Sequence, residues 1–323
     1  MTDLHDRRVL VTGGAGFIGS HLVDVLIAQG ARVRVLDDLS TGRRGNLAAA
    51  EGRFEMAVGD IRDLAVCREA CEEAELVFHQ AALGSVPRSL ENPATTIGVN
   101  VQGTANVLEA ARRGGARRVV YASSSSVYGD SERLPKREGE EGRPLSPYAA
   151  SKCMTEQLAT VFARSFGLEV VGLRYFNVFG PRQSPEGPYA AVVPAFFREA
   201  AAGRPMRIHG DGRQTRDFTY VGDAVRANLL AAAAPAERVA GGVFNVAGGQ
   251  SVAIAQLAEA IRDLTGSGAG AVHGPERPGD VRHSLADLAR AGRELAYEPR
   301  VPLREGLAAC LRELATDGAP APG

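Results

Sequence analysis

The chain has 323 residues, of which 45% are hydrophobic and 23% are charged, and its formal net charge at pH 7 is -1. This length allows about two domains with a sizeable core, and the near-zero charge gives no electrostatic reason to expect nucleic acid or an anionic membrane as a partner. No apolar run approaches the roughly 20 residues that a membrane-spanning helix needs, and the N-terminus lacks the apolar stretch of a signal peptide. We therefore expect a cytoplasmic protein.

The first two-thirds of the chain alternate short β-branched runs with longer amphipathic stretches. Near-continuous apolar runs are typical of parallel strands that helices cover on both faces. This alternation predicts an α/β fold with a doubly wound parallel sheet of the Rossmann type. The predicted strands are Val9–Thr12, Val33–Asp37, Phe54–Val58, Leu76–His79, Arg118–Ser123 and Val170–Tyr175, with helices such as Ser20–Gln29 and Thr96–Arg113 between them.

After Gly180 the texture changes to loops rich in proline and glycine, which indicates a smaller C-terminal α+β substrate domain. Phe218–Ala233 and Val243–Val246 again resemble the sheet domain, so the two domains are predicted to be interleaved. We predict a dinucleotide-binding domain over 1–180 to which 218–246 returns, a substrate domain over 181–217 and 247–317, and a disordered tail over 318–323.

The first strand runs into the glycine-rich stretch Gly13-Gly14-Ala15-Gly16-Phe17-Ile18-Gly19, and a helix follows. Such glycines permit a tight turn and let the backbone approach a pyrophosphate at a helix N-terminus. Asp37 closes the next strand 18 residues later, where a carboxylate accepts hydrogen bonds from the adenosine ribose. Asp37 and Asp38 together would repel a 2′-phosphate, so NAD is predicted; Arg43 and Arg44 nearby keep NADP open as the alternative.

Tyr148 and Lys152 are four residues apart, so on a helix both side chains lie on the same face. A phenol with its usual pKa of about 10 is a poor base at neutral pH, but an adjacent ammonium and the positive nicotinamide ring favour the phenolate. Bringing the pKa to about 7 takes roughly 4 kcal/mol at about 1.36 kcal/mol per unit. We therefore predict Tyr148 as the catalytic base and Lys152 as its activator, with a surface helix pair as the alternative.

Four consecutive serines, Ser123 to Ser126, stand where the fifth predicted strand ends. Ligands bind at the carboxyl edge of a parallel sheet, and hydroxyl groups there can relay a proton or bind a sugar hydroxyl. The alternative is that these serines only end the strand and cap a helix.

The cysteines and histidines do not form a metal-binding pattern. Cys67 and Cys71 would share a helix face, but no second ligand pair stands at metal spacing, and the six histidines are scattered. We predict reduced thiols and no metal.

Eight segments together resemble the UDP-hexose 4-epimerases nearly end to end, and among them the bacterial UDP-N-acetylglucosamine 4-epimerases most. These enzymes belong to the extended short-chain dehydrogenases/reductases of the NAD-dependent epimerase/dehydratase family. The first three segments are shared by many nucleotide-sugar enzymes, and the last three are more discriminating. The segments are TGGAGFIGSHL, VLDDLSTGRRGNL, GDIRD, YASSSSVYGD, SPYAASK, LRYFNVFGPRQ, GDGRQTRDFTYV and ERPGDVRHSLAD.

The resemblance implies a set of functional residues. It implies the catalytic trio Ser124, Tyr148 and Lys152. For NAD it implies Gly13, Gly16, Phe17, Ile18, Gly19, Asp37, Asp38, Ser40, Gly42, Asp60, Ile61, Gln80, Ala81, Ala82, Asn100, Tyr148, Lys152 and Tyr175. For the UDP-sugar it implies Gly84, Ser85, Ser124, Ser125, Ser126, Tyr148, Asn177, Ala191, Val192, Arg216, Arg277, Asp280 and Ser284. Arg216 and Arg277 also suit a diphosphate by charge alone.

The resemblance further implies a reaction. UDP-GlcNAc and UDP-GalNAc, and also UDP-glucose and UDP-galactose, would interconvert through a 4-keto intermediate with transient hydride transfer to bound NAD. The alternatives are epimerisation of UDP-glucuronic acid and a non-catalytic NAD-sensing protein on the same fold. The family implies a homodimer as well, with Thr96–Arg113 and Ser151–Phe166 as the candidate interface helices.

Three departures from related enzymes bear on the substrate. Many UDP-galactose 4-epimerases carry a lysine at the position of Gly84 and a large residue at that of Ser284, so this chain is predicted to have a roomier sugar pocket. Nucleotide-sugar 4,6-dehydratases carry an Asp-Glu pair where this chain has Ser125 and Ser126. Without that acid and base, elimination of water is disfavoured.

Overall fold

The computed structural model describes residues 4–185, 190–276 and 281–317. The strands are β1 Arg8–Thr12, β2 Arg32–Asp37, β3 Phe54–Val58, β4 Leu76–His79, β5 Arg118–Ser124, β6 Glu169–Tyr175, β7 Val178–Phe179, β8 Met206–His209, β9 Thr215–Arg216, β10 Thr219–Tyr220, β11 Val243–Val246, β12 Val252–Ala253 and β13 Ala271–Gly274. The α-helices are α1 Phe17–Ala28, α2 Leu64–Cys71, α3 Val86–Glu91, α4 Pro93–Ile97, α5 Gly103–Arg113, α6 Pro147–Phe166, α7 Val192–Ala201, α8 Val221–Ala233, α9 Ala236–Val239, α10 Ile254–Thr265, α11 Ala289–Leu295 and α12 Leu303–Asp317. Arg44–Ala50 and Ser125–Tyr128 form 3-10 helices, and Gly98–Gln102 forms a π-helical segment.

Within these residues, seven strands form a parallel sheet in the order β11-β6-β5-β4-β1-β2-β3. The chain runs outward from β1 through β2 to β3, then returns to place β4 on the other side of β1. The carboxyl ends of β1 and β4 therefore flank a topological switch point, where open α/β sheets bind their ligands. The predicted doubly wound Rossmann fold is confirmed.

The predicted strand limits differ from the observed ones by one residue at most. β1, β2 and β6 begin one residue earlier than predicted, at Arg8, Arg32 and Glu169, and β5 ends one residue later. The reason is that these end residues are polar, and an apolar pattern does not mark them. Helix α1 begins at Phe17 rather than Ser20, because Gly16 of the glycine turn is itself the N-cap.

Helices cover both faces of the sheet and provide two apolar layers. Side chains of α1, α8 and α11 pack on one face, and side chains of α2, α5 and α6 pack on the other. Segment 221–233 is thus helix α8 on the large sheet, and β11 extends that sheet beside β6. Helix α8 and strand β11 thus belong to the large sheet and its covering layer.

A third apolar cluster lies outside the sheet, among α7, β8, α10 and α12. Two short strand pairs accompany this cluster. Strands β8 and β13 are parallel, and strands β9 and β12 are antiparallel. The proposed domain limits remain a prediction, and the predicted tail over 318–323 lies outside the described residues. No helix in the described part of the chain is long and apolar enough to span a membrane.

The predicted helix Thr96–Arg113 is wrong in detail. The helical stretch begins at Pro93, and the π-helical segment Gly98–Gln102 separates α4 from α5. In that segment the Asn100 amide bonds to both backbone groups of Leu83 and to Ser151 Oγ. The homodimer remains a prediction; in this chain Ser151–Phe166 is the larger part of α6, which exposes Met154, Val161 and Phe166.

A buried arginine ties the sheet to the end of α8. The Arg118 side chain at the start of β5 is fully buried and pairs with Glu169 at the start of β6, with Nε 2.7 Å from Oε2. Its Nη1 donates to the carbonyl oxygens of Ala231, Ala232 and Ala234 at 2.7 to 3.0 Å. The guanidinium therefore caps the C-terminal carbonyls of a helix that would otherwise be buried unpaired.

Replacing this arginine should destabilise the fold strongly. Arg118→Met removes the buried donor of the Glu169 carboxylate and of three helix-end carbonyls, leaving Glu169 and Ala232 with longer contacts to Arg117 at 3.5 and 3.4 Å. We expect the free energy of unfolding to fall by about 3–5 kcal/mol. Arg117→Met is the matched control, because the Arg117 side chain is 50% exposed and exposed ion pairs contribute about 0–1 kcal/mol. Urea unfolding of both variants measures the difference, and equal losses would contradict this account.

Candidate active site

The glycine turn after β1 has no space for side chains. Gly13 has a positive φ of 68°, and a Cβ atom there would lie 2.6 Å from the backbone nitrogen of Ala81. A Cβ atom on Gly19 would collide with the carbonyl oxygen of Gly13. Gly16 caps α1 without a side-chain hydrogen bond, so the first N–H groups of a 12-residue helix face the turn, as an anion-binding site requires.

Asp37 and Asp38 lie at the end of β2 beside this turn. The buried Asp37 carboxylate accepts hydrogen bonds from Ala15 N at 2.9 Å and Leu39 N at 2.8 Å, and burial raises its pKa. Gly42 lies against it, since a Cβ atom there would be 2.8 Å from Asp37 Oδ1. Asp38 Oδ1 accepts from the amide and the hydroxyl of Ser40. The two carboxylates are thus held in place by the chain's own donors.

A cavity of about 520 Å³, here called the first cavity, runs over the carboxyl ends of the central strands from the glycine turn to α6. It brings together residues that are distant in the sequence. Its described wall contains Gly13, Gly16, Phe17, Ile18, Gly19, Asp37, Asp38, Ser40, Asp60, Ile61, Gln80, Ala81, Ala82, Gly84, Ser124, Ser125, Tyr148, Lys152, Tyr175 and Asn177, all of which were predicted as site residues.

Tyr148 and Lys152 both face the first cavity from α6, as their spacing predicts. The helix begins with Ser146 as N-cap, whose hydroxyl accepts from Ala149 N, and with Pro147 in its first turn. Lys152 is 4% exposed. Its Nζ donates to the carbonyl oxygen of Ala122 on β5 at 2.7 Å and lies 6.0 Å from the centroid of the Tyr148 ring.

The pKa of Tyr148 depends on the burial of its side chain. Burial raises it, and the hydrogen bond with Ser124 offsets this only in part. Burial also lowers the pKa of Lys152 to about 8, against the raising effect of Glu156. For the chain's own groups, loss of hydration thus outweighs the effects that favour the phenolate. The expectation that Lys152 and the nicotinamide charge together lower the pKa of the phenol stays a prediction.

The four serines at the end of β5 have different contacts. Ser123, which also lines the first cavity, donates from Oγ to Glu156 Oε1 at 2.5 Å across the contact with α6. Ser124 Oγ accepts from Ser126 N at 3.1 Å and so caps the 3-10 helix Ser125–Tyr128, but it also bonds to Tyr148 and lines the first cavity. Ser125 lines the first cavity, whereas Ser126 Oγ is buried without a partner in the described part of the chain.

A buried polar layer supports the cavity from behind. Thr104 Oγ1 donates its hydrogen to the carbonyl oxygen of Asn100 at 2.5 Å, so it accepts in its contact with His79 Nε2 at 2.9 Å. His79 Nε2 therefore carries the ring hydrogen, and Nδ1 accepts from Thr12 Oγ1 at 2.7 Å. Burial, with the nearby Lys152 charge, lowers the pKa of His79 to about 3. The imidazole is therefore neutral and adds no second positive charge beside Lys152.

A second cavity of about 250 Å³ adjoins the first. The two share Asn177, Val178 and Gln183, and Asn177 has a positive φ of 32° at this junction. The second cavity contains the predicted residues Ala191, Val192 and Arg216. Sequence reasoning missed several residues of its wall, among them Gln183, Arg207, His209, Gln214 and Phe218. Two guanidinium groups, Arg207 and Arg216, make this wall basic.

Gln183 presents an unpaired acceptor at the junction. Its Nε2 donates to the carbonyl oxygen of Val178 at 3.0 Å, which determines the orientation of the amide. Its Oε1 is buried and has no hydrogen-bond partner in the described residues. A buried acceptor without a donor costs about 1–3 kcal/mol, so the site favours a ligand that brings an O–H or N–H group. A glutamine in a proline-rich loop offers no sequence signal for this role.

Some predicted residues lie outside both cavity walls. Asn100 supports the first cavity from behind Leu83, and Ser85 caps α3 by accepting from Arg88 N. Ser284 is 9% exposed, and its amide donates to the carbonyl oxygen of Thr215. The predicted Arg277 and Asp280 lie outside the described residues.

Comparison with known proteins gives a consistent picture. A family model described as NAD dependent epimerase/dehydratase matches residues 9–247. The UDP-glucose 4-epimerase of Mycolicibacterium smegmatis is 42% identical over 305 residues, which cover 93% of this chain and 96% of that protein. A solved UDP-N-acetylglucosamine 4-epimerase from Methanobrevibacter ruminantium M1, in complex with UDP-N-acetylmuramic acid, has a TM-score of 0.91 and 39% identity, covering 97% of this chain and 99% of that one. A UDP-N-acetyl-alpha-D-glucosaminuronate decarboxylase from Bacillus cytotoxicus is 35% identical over 312 residues, with 93% and 95% covered.

Adding one methyl group to the glycine turn should abolish cofactor retention. Gly19→Ala places a Cβ atom against the Gly13 carbonyl oxygen, so the turn must open and lose the close approach that a pyrophosphate needs. We expect denatured wild-type protein to release NAD and Gly19→Ala to release less than about a tenth as much. Gly45→Ala is the control, because a Cβ atom there meets no other atom within 4 Å. Recovery of NADP, or equal nucleotide from both variants, would contradict the assignment.

Proposed function

Because the chain belongs to the NAD dependent epimerase/dehydratase family, we propose that it is a UDP-hexose 4-epimerase that interconverts UDP-GlcNAc with UDP-GalNAc and UDP-glucose with UDP-galactose. The observation that carries this proposal is the junction of the two cavities at Asn177, Val178 and Gln183. A basic cavity suited to a diphosphate opens there into a cavity that holds a tyrosine and a lysine on one helix face.

The described residues fit NAD as the cofactor. The glycine turn is a cradle that a Cβ atom would fill, and α1 begins there without an acidic residue in its first turn. Asp37 and Asp38 suit ribose hydroxyls and repel a 2′-phosphate, and Arg43 donates to Ser184. When bound, NAD supplies a centre that accepts the hydrogen of the sugar C4 as hydride and returns it.

Tyr148 and Ser124 would handle the proton of the sugar 4-hydroxyl. The phenolate takes that proton directly or through the Ser124 hydroxyl, with which it shares a hydrogen bond. Because burial raises the pKa of Tyr148, the positive charges of Lys152 and of the cofactor are needed to favour the phenolate. After C4 is oxidised, the 4-keto sugar turns in the pocket and is reduced from its other face, so no net redox change occurs.

The second cavity would hold the nucleotide while the sugar turns. Arg207 and Arg216 provide guanidinium groups for the diphosphate, and Arg277 is proposed to add a third. Binding energy gained on this remote part of the substrate retains the 4-keto intermediate during its rotation. The unpaired oxygen of Gln183 at the junction suits a sugar hydroxyl or an acetamido N–H.

Other reactions of the family fit the described walls less well. A uronic acid substrate, in an epimerase or a decarboxylase, brings a carboxylate, and Lys152 is the one cationic side chain among the described residues of the first cavity. A dehydratase needs an acid and a base for the elimination, and this chain has the hydroxyls of Ser125 and Ser126. A non-catalytic sensor has no need of a tyrosine and a lysine turned into the cavity.

Turnover of UDP-sugars by the purified protein, without added NAD, tests this proposal. We expect conversion of UDP-GlcNAc and UDP-glucose to their 4-epimers, with Tyr148→Phe reducing kcat at least about a thousandfold because proton transfer and phenolate stabilisation are both lost. UDP-sugar affinity should survive, since the ring remains. Tyr220→Phe is the control, because Tyr220 lies in β10 outside the first cavity. A Tyr148→Phe variant with more than about a tenth of wild-type turnover would refute the mechanism.

The preference for N-acetylated sugars should depend on room in the pocket. A Cβ atom on Gly84 meets no other atom within 4 Å, and Ser284 is proposed as a second small residue near the sugar. Ser284→Tyr and Gly84→Lys should each lower kcat/KM for UDP-GlcNAc at least about tenfold more than for UDP-glucose, because the acetamido group needs the larger sweep.

Ser284→Thr, which adds one methyl group, is the control for this selectivity test. An unchanged ratio of the two kcat/KM values in Ser284→Tyr would remove Ser284 from the account. Wild-type protein that is inert toward both N-acetylated sugars would favour the plain-hexose or uronic-acid alternative.

A further inference from the structure

Two arginine–glutamate pairs lie at opposite ends of the neighbouring strands β5 and β6. The first is Arg118–Glu169, at the amino ends of the strands. The second joins Arg174 near the carboxyl end of β6 to Glu156 on α6. Arg174 is paired in register with Ser123, five residues along β5 from Arg118, which corresponds to about 17 Å at 3.3 Å per residue. Only the second pair lies at the ligand-binding edge of the sheet.

The Glu156 carboxylate accepts three hydrogen bonds from two side chains. Its Oε1 accepts from Ser123 Oγ at 2.5 Å and from Arg174 Nε at 2.9 Å, and its Oε2 accepts from Arg174 Nη2 at 2.7 Å. The Arg174 and Glu156 side chains are 3% and 13% exposed. Such a two-point arginine–carboxylate pair constrains direction as well as distance.

The anchored groups are direct neighbours of the reacting ones. Glu156 lies one turn after Lys152 on the same helix face. Ser123 lies between Ala122 and Ser124 in the sequence. The carbonyl oxygen of Ala122 accepts the hydrogen bond from Lys152 Nζ. Arg174 precedes Tyr175, which lines the first cavity. A shift of α6 at the Glu156 anchor would therefore move Lys152 relative to its carbonyl partner.

Arg174 is in turn fixed by the rest of the fold. Its Nη1 donates to Tyr128 Oη at 3.0 Å and contacts Glu141, and its guanidinium carbon lies 5.0 Å from the centroid of the Tyr128 ring. Tyr128 Oη donates to Asn245 Oδ1 on β11 at 2.7 Å. A buried ion pair is weak evidence for a net gain in the free energy of unfolding. We therefore attribute this network of hydrogen bonds to the geometry that it gives the Arg174 and Glu156 side chains more than to stability.

We propose that Glu156 is a positioning residue for the reaction: clamped by Arg174 and Ser123, its carboxylate sets the position of α6 on β5 and β6 and keeps the Lys152 ammonium directed at the Ala122 carbonyl beside Tyr148. This inference rests on the proposed 4-epimerase function for its kinetic test. Glu156 does not line either cavity in the described structure, so it acts through Lys152 and not on the substrate.

Removing the Glu156 charge should lower the pKa of Lys152. Glu156 raises the pKa of Lys152 against the lowering effect of burial. The other titratable or charged groups around Lys152 are His79 on β4, Tyr148 on α6, and Tyr175 and Arg174 on β6, and the His79 ring is neutral. Loss of the Glu156 charge removes the nearby negative charge that favours the ammonium, and Glu141 remains as the carboxylate partner of Arg174. Lys152 then deprotonates at a lower pH. The alkaline limit of kcat should move in the same direction.

Glu156→Gln tests the proposal, because it keeps the shape of the side chain and removes its charge. We expect kcat to fall by about ten- to a hundredfold with KM changed less than about threefold, as displacement of a catalytic group predicts. The alkaline limit of kcat should move down by about one pH unit. NAD retained on purification should also fall, since Lys152 is proposed to contact the cofactor. Glu156→Asp should restore the wild-type pH limit and part of kcat.

Glu169→Gln is the matched control, because it removes the same charge from the pair at the far end of the same strands. It should lower the denaturation temperature while leaving the pH profile and NAD content unchanged. If Glu156→Gln does not fold, Ser123→Ala, which removes one anchor and keeps the ion pair, should lower kcat by about threefold to tenfold.

The outcomes separate the two proposals. Wild-type protein that converts no UDP-sugar refutes the proposed function, and the NAD content of Glu156→Gln then decides the positioning role. A folded Glu156→Gln variant with wild-type kcat, pH profile and NAD content would overturn the inference. So would a pH shift of equal size in Glu169→Gln, because the effect would then be one of general stability.

Discussion

One largely buried carboxylate, that of Glu156 on α6, joins Ser123 of β5 and Arg174 of β6 at the carboxyl ends of these strands. A helix alone determines only that Tyr148 and Lys152 share a face. Its rotation and height on the sheet determine whether that face meets the glycine turn or lies against solvent. Since Lys152 bonds to Ala122 one residue before Ser123, the same contact sets where its ammonium lies.

Burial disfavours the charged forms of the titratable side chains at the centre of the site. Burial lowers the pKa of Lys152 to about 8, raises that of Tyr148 and holds His79 neutral. The tyrosine proposed as the base is thus surrounded by a protein that, by itself, favours its neutral form. This is a reasonable arrangement when a positively charged cofactor completes the site, because the phenolate is then favoured only where the cofactor is bound.

The two cavities divide the work of substrate handling. In the proposed function, the second cavity with Arg207 and Arg216 holds the nucleotide diphosphate, and the first cavity with Tyr148 and Lys152 holds the reacting sugar. At their junction Gln183 offers an unpaired acceptor and Gly84 an open space. Relatives of this chain include an epimerase and a decarboxylase, so the reaction depends on the site and not on the fold alone.

The sequence by itself determined the periodic and local features. Apolar runs located the strands of the sheet to within one residue, the glycine spacing located the turn after β1, and the interval between Tyr148 and Lys152 placed both on one face. It did not determine the direction of the Tyr148 pKa, the π-helical segment around Asn100, or the roles of Gln183 and Arg207. Those depend on burial and on contacts between residues far apart in the chain. Desolvation and unpaired polar atoms exist only once the chain has folded, so only the tertiary structure decided them.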